Sequence, residues 1–124
     1  MPKILITDDD PVCREILSQI LMSGLYEVIA YTSGADFLSN FKNQFTGDDK
    51  PVAIFLDMML GDTTGIDVLG HIKAHDATKD IPVIILSANS ATEVKALHAG
   101  QEPSLFLEKP FTGVTVLSAL KSLL

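Results

Sequence analysis

Five short apolar runs punctuate the chain, and each stops at a polar or turn residue. Lys3-Ile4-Leu5-Ile6-Thr7 ends in Asp8-Asp9-Asp10, and the β-branched and aromatic run from Leu25 to Tyr31 ends before Thr32. Val52-Ala53-Ile54-Phe55-Leu56 ends in Asp57. Val83-Ile84-Ile85-Leu86, opened by Pro82, ends in Ser87, and residues 104–108 end in Lys109-Pro110. Runs of this length are strands, and continuous apolarity marks strands buried on both faces. Between the runs, apolar positions recur at helical spacing. Pro11 opens a helix carrying Val12, Ile16, Leu17, Ile20 and Leu21, which Gly24 stops. Ser33 or Gly34 opens a second, with Phe37, Leu38, Phe41 and Phe45, before the polar loop Gly47-Asp48-Asp49-Lys50-Pro51. A third helix is predicted from Gly65 to His75 with Ile66, Leu69 and Ile72 inward, and a short fourth over 91–99 before Gly100. The last spans 112–124, with Val116, Leu117, Leu120 and Leu124 as its apolar face.

Strand and helix alternating five times in one domain predict an α/β fold: a five-stranded parallel sheet with helices on both faces. The doubly wound, flavodoxin-like order 2-1-3-4-5 fits, and it places the strands that end in Asp8-Asp9 and Asp57 on either side of the point where strand order reverses. Residues 1–124 are expected to form a single domain, with no internal repeat.

Composition narrows the function. Hydrophobic residues make up 47% and charged residues 20%, as in a compact globule, and the net charge is −7 with no basic cluster. Direct nucleic-acid binding and docking on anionic membranes are therefore not expected. Cys13 is the one cysteine, no apolar stretch is long enough for a membrane span, and the first strand begins almost at Met1. These features predict a soluble, cytoplasmic protein.

In an open parallel sheet the chemistry sits at the carboxyl ends of the strands. Four strands there deliver Asp8, Asp9, Asp57, Ser87 and Lys109 to one crevice. Clustered carboxylates repel and either take up protons or bind a cation. Oxygen donors without His or Cys favour a hard ion, and Mg²⁺ suits a site with few carboxylates and a phosphate oxygen. A carboxylate, a metal, a lysine and a hydroxyl together suit an aspartyl phosphate, with Asp57 as nucleophile and Asp8-Asp9 holding the metal. Asp10 is placed to cap the first helix. His71 and His75 have helical spacing but no third ligand nearby, and read as an exposed face. Cys13 reads as a small apolar neighbour of the site, and Phe37, Phe41 and Phe45 as packing.

Four segments, in order and at strand ends, resemble the receiver domains of two-component response regulators over essentially the whole chain. They are Ile4 to Pro11 with Arg14 beyond, Leu56-Asp57-Met58-Met59-Leu60 with Gly65 after it, Leu86-Ser87-Ala88, and Lys109-Pro110-Phe111. The resemblance implies a phosphorylation-dependent switch rather than an enzyme with turnover, catalysing only its own phosphorylation and dephosphorylation. Asp57 would accept a phosphoryl group from a sensor histidine kinase or histidine phosphotransfer protein. Asp9, Asp57 and the Met59 backbone carbonyl would bind Mg²⁺, with Asp8 acting mainly through water. Ser87 and Lys109 would hold the phosphoryl group, the small Ala88 would leave it room, and the Lys109–Pro110 bond would be cis. Ser87 and an inward-turning aromatic, Phe106, would switch the face made by the fourth helix, fifth strand and last helix toward an unknown downstream protein partner.

Three departures from that pattern stand out. Gly61 occupies a position where proline is common, which predicts a less rigid turn. Residues 101–108 are longer than usual and 87–100 shorter. Met59 and Asn89 occupy positions whose side chains tune loss of the phosphoryl group, and Met59 cannot orient a water. Competing functions are weaker. A haloacid dehalogenase-like phosphatase, suggested by Asp8-x-Asp10-x-Val12, needs its serine or threonine and lysine before the second acidic cluster, whereas Asp57 precedes both Ser87 and Lys109. A fold-only binding module would not need the complete site, and a nucleotide or flavin binder would need a glycine-rich loop after the first strand.

Overall fold

The computed structural model describes residues 1–41, 50–88 and 102–124. Phe45, Gly47 to Asp49, Asn89 and the helix expected over 91–99 with Gly100 lie outside the described residues. The elements are β1 (Lys3–Thr7), α1 (Pro11–Ser23), β2 (Glu27–Tyr31), α2 (Gly34–Asn40), β3 (Ala53–Asp57), α3 (Gly65–Lys73), β4 (Val83–Ser87), β5 (Leu105–Glu108) and α4 (Gly113–Leu123). The strands form one parallel sheet in the order β2-β1-β3-β4-β5, as expected.

Continuous apolarity tracks position in the sheet. Every residue of β1, β3 and β4 is buried, whereas the edge strands β2 and β5 are largely half-exposed. Side chains alternate between two cores. Leu5, Ile54, Leu56, Val83 and Ile85 face α2 and α3, where Phe37, Phe41, Ile66, Val68, Leu69 and Ile72 cover them. Ile4, Ile6, Phe55, Ile84 and Leu86 face α1 and α4, covered by Leu17, Leu21, Val116 and Leu120. Full burial of each such side chain contributes about 1.5–3 kcal/mol. Tyr31 meets Phe37 edge-on, with centroids 5.4 Å apart, and Phe37 stacks on Phe41 at 5.0 Å. The helical phenylalanines described are core, as expected.

Several boundaries differ from the sequence pattern. β2 starts at Glu27 rather than Leu25, because Leu25 turns the chain with φ 67°. α3 ends at Lys73 rather than His75, because the buried Thr78 hydroxyl donates to the Ile72 carbonyl and the chain turns there. His75 therefore lies past the helix, near Phe41, and both His71 and His75 are exposed. β3 and β4 each extend one residue further, so Asp57 and Ser87 are strand residues. The apolar stripe of α1 is only partly inward: Val12 and Ile16 are 65% and 48% exposed, on the flank beside the carboxyl ends of the strands. Leu124 is likewise exposed.

Candidate functional site

Parallel register brings the strand ends into one row. Thr7 pairs with Leu56, so Asp8 follows alongside Asp57, and Asp57 pairs with Leu86, one residue before Ser87. Ser87 in turn pairs with Glu108, which places Lys109 at the same edge. The Lys109 N–H donates to the Ser87 carbonyl at 2.7 Å, and the Met58 N–H to the Leu86 carbonyl at 2.9 Å. The edge of the sheet is thus held by backbone bonds up to the reactive side chains.

Oxygens of Asp8, Asp9 and Asp57 lie within 4.8 Å of one another. Asp8 is fully buried, Asp57 is 7% exposed and Asp9 is exposed. Lys109 Nζ lies 3.1 Å from Asp57 Oδ2 and 3.6 Å from Asp8 Oδ2. Asp8 Oδ1 accepts the Asp10 N–H at 2.9 Å, and the Arg14 guanidinium donates to the Asp8 carbonyl at 2.8 Å. Met59 N–H approaches Asp57 Oδ1 at 3.4 Å, while the Met59 residue is 63% exposed. Ser87 is fully buried. Asp8, Asp9, Asp57 and Lys109 are thus brought together, Ser87 and Met59 stand at the same edge by register and backbone bonding, and among the described residues no other group of His, Cys, Asp and Glu could hold a metal.

The electrostatics follow from burial. Desolvation and the neighbouring Asp8 charge push the Asp57 carboxyl up to about 6, against the pull of Lys109. Burial works to lower the Lys109 ammonium, but its hydrogen bond and charge interaction with Asp57, together with Asp8, hold it above the ordinary lysine value. Burial and Asp8 push the Cys13 thiol up to about 12, so it stays protonated and is inert as a nucleophile. Of the buried side-chain oxygens without a hydrogen-bond partner, Asp8 Oδ2 lies in the site, 3.6 Å from Lys109 Nζ. A buried carboxylate oxygen left so, in an all-oxygen cluster with two further carboxylates, fits a hard divalent ion.

Two local details differ from expectation or were not anticipated. Gly61 has φ 82°, which proline's ring forbids and glycine adopts without strain, so a rigid proline is excluded from this turn. A β-carbon there would also stand 3.3 Å from Asp9 Oδ2. Asp62, which carried no expected role, accepts the N–H groups of Gly34 and Ala35 at 3.0 and 2.9 Å. Nothing local in sequence marks a contact between residues so far apart. Asp10 caps α1 as expected, its Oδ1 accepting the Val12 N–H at 3.0 Å. The Lys109–Pro110 bond is cis. Phe106 is half-buried against the core beneath α2 and α3. Beside Lys109, a cleft of about 390 Å³ is lined by Val12, Cys13, Ile16, Pro110 and Phe111.

Comparison with known proteins follows the same outline. The chain is 32% identical over 123 residues to the transcriptional regulatory protein GltR of Pseudomonas aeruginosa, covering 98% of this chain and 48% of that protein. It spans about half the length of the curated relatives it matches. The chemotaxis response regulator CheY4 of Vibrio cholerae shares the fold with a TM-score of 0.88, at 24% identity, over 100% of this chain and 99% of that one. The response regulator TrrA of Thermotoga maritima, solved in complex with Mg²⁺ and BeF, superposes with a TM-score of 0.82 at 27% identity over the full length of both chains. No helix among the described residues is long and apolar enough to cross a membrane. Residues 4–121 match the response regulator receiver domain, and the chain belongs to that family of two-component phosphoacceptor switches, which are regulatory domains rather than classical enzymes.

Proposed function

We propose that Asp57 is the phosphoacceptor of a cytoplasmic signalling switch, charged by a phosphohistidine donor with Mg²⁺. The observation that carries this reading is the meeting of Asp8, Asp9 and Asp57 oxygens within 4.8 Å, with Lys109 Nζ 3.1 Å from Asp57. Asp9, Asp57 and the Met59 carbonyl would hold the ion, with Asp8 reaching it mainly through water. The ion supplies positive charge against the phosphoryl oxygens. A carboxylate oxygen of Asp57 attacks phosphorus, the bond from phosphorus to the histidine nitrogen breaks, and the electron pair leaves with the imidazole. The product is a mixed anhydride on Asp57. Lys109 shifts from the Asp57 carboxylate to a phosphoryl oxygen, and the Ser87 hydroxyl donates to another. Exposed Ala88 leaves that space open.

The donor is a sensor histidine kinase or histidine phosphotransfer protein; receiver domains receive phosphoryl groups from histidine kinases. The exposed apolar side chains of Val12 and Ile16 border the same cleft as Lys109, and a donor surface covering them brings its histidine toward Asp57. The chain removes its own phosphoryl group by hydrolysis, with Met59 offering no atom to orient the water. Ser87 and Phe106 carry the signal to a surface that includes β5 and α4, which meets a downstream protein. We take residues 1–124 as one receiver unit.

Intact-mass measurement after incubation with a small acyl phosphate and Mg²⁺ tests the reading. One phosphoryl group is expected on the wild-type chain and none on Asp57→Asn. Uptake that survives in Asp57→Asn, or no uptake from any acyl phosphate or phosphoramidate, overturns it.

A further inference from the structure

The segment after Asp57 is a small hairpin. Met59 and Thr64 form an antiparallel bridge, the Leu60 N–H donates to the Thr63 carbonyl at 3.1 Å, and the Gly65 N–H to Met58 at 2.8 Å. Gly61, with its positive φ, occupies the first central position of the turn, as in type II′. Asp62 occupies the second and reaches across to α2. Its two carboxylate oxygens separately take the N–H groups of Gly34 and Ala35, the first two amides of that helix. The helix satisfies its other early amides locally: Asp36 N–H goes to Ser33 Oγ and Phe37 N–H to the Ser33 carbonyl. Asp62 therefore fills what the local cap leaves. The approach is close enough that a β-carbon on Gly34 would fall 2.2 Å from Thr63 Cγ2, so the helix start and the hairpin tip are in direct contact.

The same tip borders the acidic cluster, through Gly61 beside Asp9 and through the Met59 backbone at the hairpin base. A glycine turn has little stiffness of its own. A two-oxygen grip by a carboxylate on backbone amides supplies it from outside the turn.

We propose that Asp62 is a positioning residue for the cation site: its grip on α2 holds the hairpin so that the Met59 carbonyl and the space beside Asp9 are set for a divalent ion. This rests on the reading of Asp8, Asp9, Asp57 and Met59 as that site. Coupling between the grip and the ion is reciprocal. The grip strengthens ion binding, and the ion strengthens the grip by the same factor, so occupancy of the site is felt at the start of α2.

The test compares wild type, Asp62→Ala and Asp62→Asn in Mg²⁺ titrations by calorimetry, with amide hydrogen exchange at Gly34 and Ala35. Removing the carboxylate in Asp62→Ala weakens Mg²⁺ binding about five- to tenfold. Asp62→Asn keeps one acceptor oxygen and falls between. In wild type, saturating Mg²⁺ slows exchange at both amides by the factor that Asp62→Ala loses in affinity; in Asp62→Ala the ion leaves exchange there unchanged. A residue that only caps α2 speeds exchange in the variants and leaves Mg²⁺ affinity as in wild type, and that outcome overturns the proposal alone. Should the wild-type chain show no saturable Mg²⁺ binding, the cation site itself is overturned and this role with it.

Discussion

At the scale of single residues, Asp57 places a reactive group in a surrounding that resists its charge. Its carboxyl is held at about 6 by burial and by Asp8, against an ordinary value near 3.9. Between about pH 4 and pH 6 the folded chain binds more protons than the unfolded one, so this group's contribution to stability is complete below pH 4 and lost as pH rises through 6. In chelator, Asp57→Asn is therefore expected to be more stable than wild type at pH 7, by about 1–2 kcal/mol, with the gap closing toward pH 4. Urea melts across that range measure it, and a gap independent of pH contradicts the assigned strain. Asp8, Asp9, Asp57, Ser87 and Lys109 were all legible in the sequence, because each is the residue where an apolar run stops. Asp62 was not, and Arg14, which the resemblance singled out, carried no expected contact. The Asp62 grip on Gly34 and Ala35 spans most of the chain between β2 and α3, and the Arg14 contact is to a backbone carbonyl, which no side-chain pattern encodes.

At the scale of elements, helix starts were read better than helix ends. Asp10, Ser33, Thr64 and Thr112 all accept from the first-turn amides of the helices they precede. Asp10 tests the separation of capping from ion binding within one acidic triplet. Asp10→Ala should cost about 1 kcal/mol of stability through the lost cap while phosphoryl uptake on Asp57 persists. Denaturant melts read the first effect and intact mass the second; loss of uptake would place Asp10 in the site after all. Ends were less legible because remote side chains set them. Thr78 closes α3 from beyond its last residue, and Leu25 spends two residues on a turn where a strand was expected. The apolar stripe of α1 misled for another reason. Helical spacing records which residues share a face, but Val12 and Ile16 overhang the strand ends instead of the sheet.

At the scale of the whole molecule, alternation predicted a parallel sheet and continuous apolarity its buried central strands, while the order 2-1-3-4-5 came from the known flavodoxin-like pattern and not from the residues themselves. The sheet then carries three acids to one edge on a chain whose net charge is −7. Their mutual repulsion, offset in part by Lys109, opposes folding, so on the proposed reading the folded chain and a bound divalent ion would stabilise one another. Thermal melts should rise with Mg²⁺, by about 2.7 kcal/mol of stability at a concentration one hundred times the dissociation constant. Chelator should reverse the gain, and Asp57→Asn should largely remove it. Equal melts with and without the ion in wild type would deny the linkage.

The bond from the Lys109 N–H to the Ser87 carbonyl carries a consequence for transmission. The hydroxyl and the ammonium proposed to hold the phosphoryl group stand on adjoining rungs at the end of one ladder, and Phe106 lies in β5, the strand that Lys109 directly follows, opposite Ile85. A pull on Ser87 toward the acceptor is therefore borne by the β4–β5 seam instead of by a lone side chain. On the function proposed for this site, the edge strand would work as a lever whose fulcrum is the last hydrogen bond of the sheet, and a charge deposited at one end would be read as a displacement along the other.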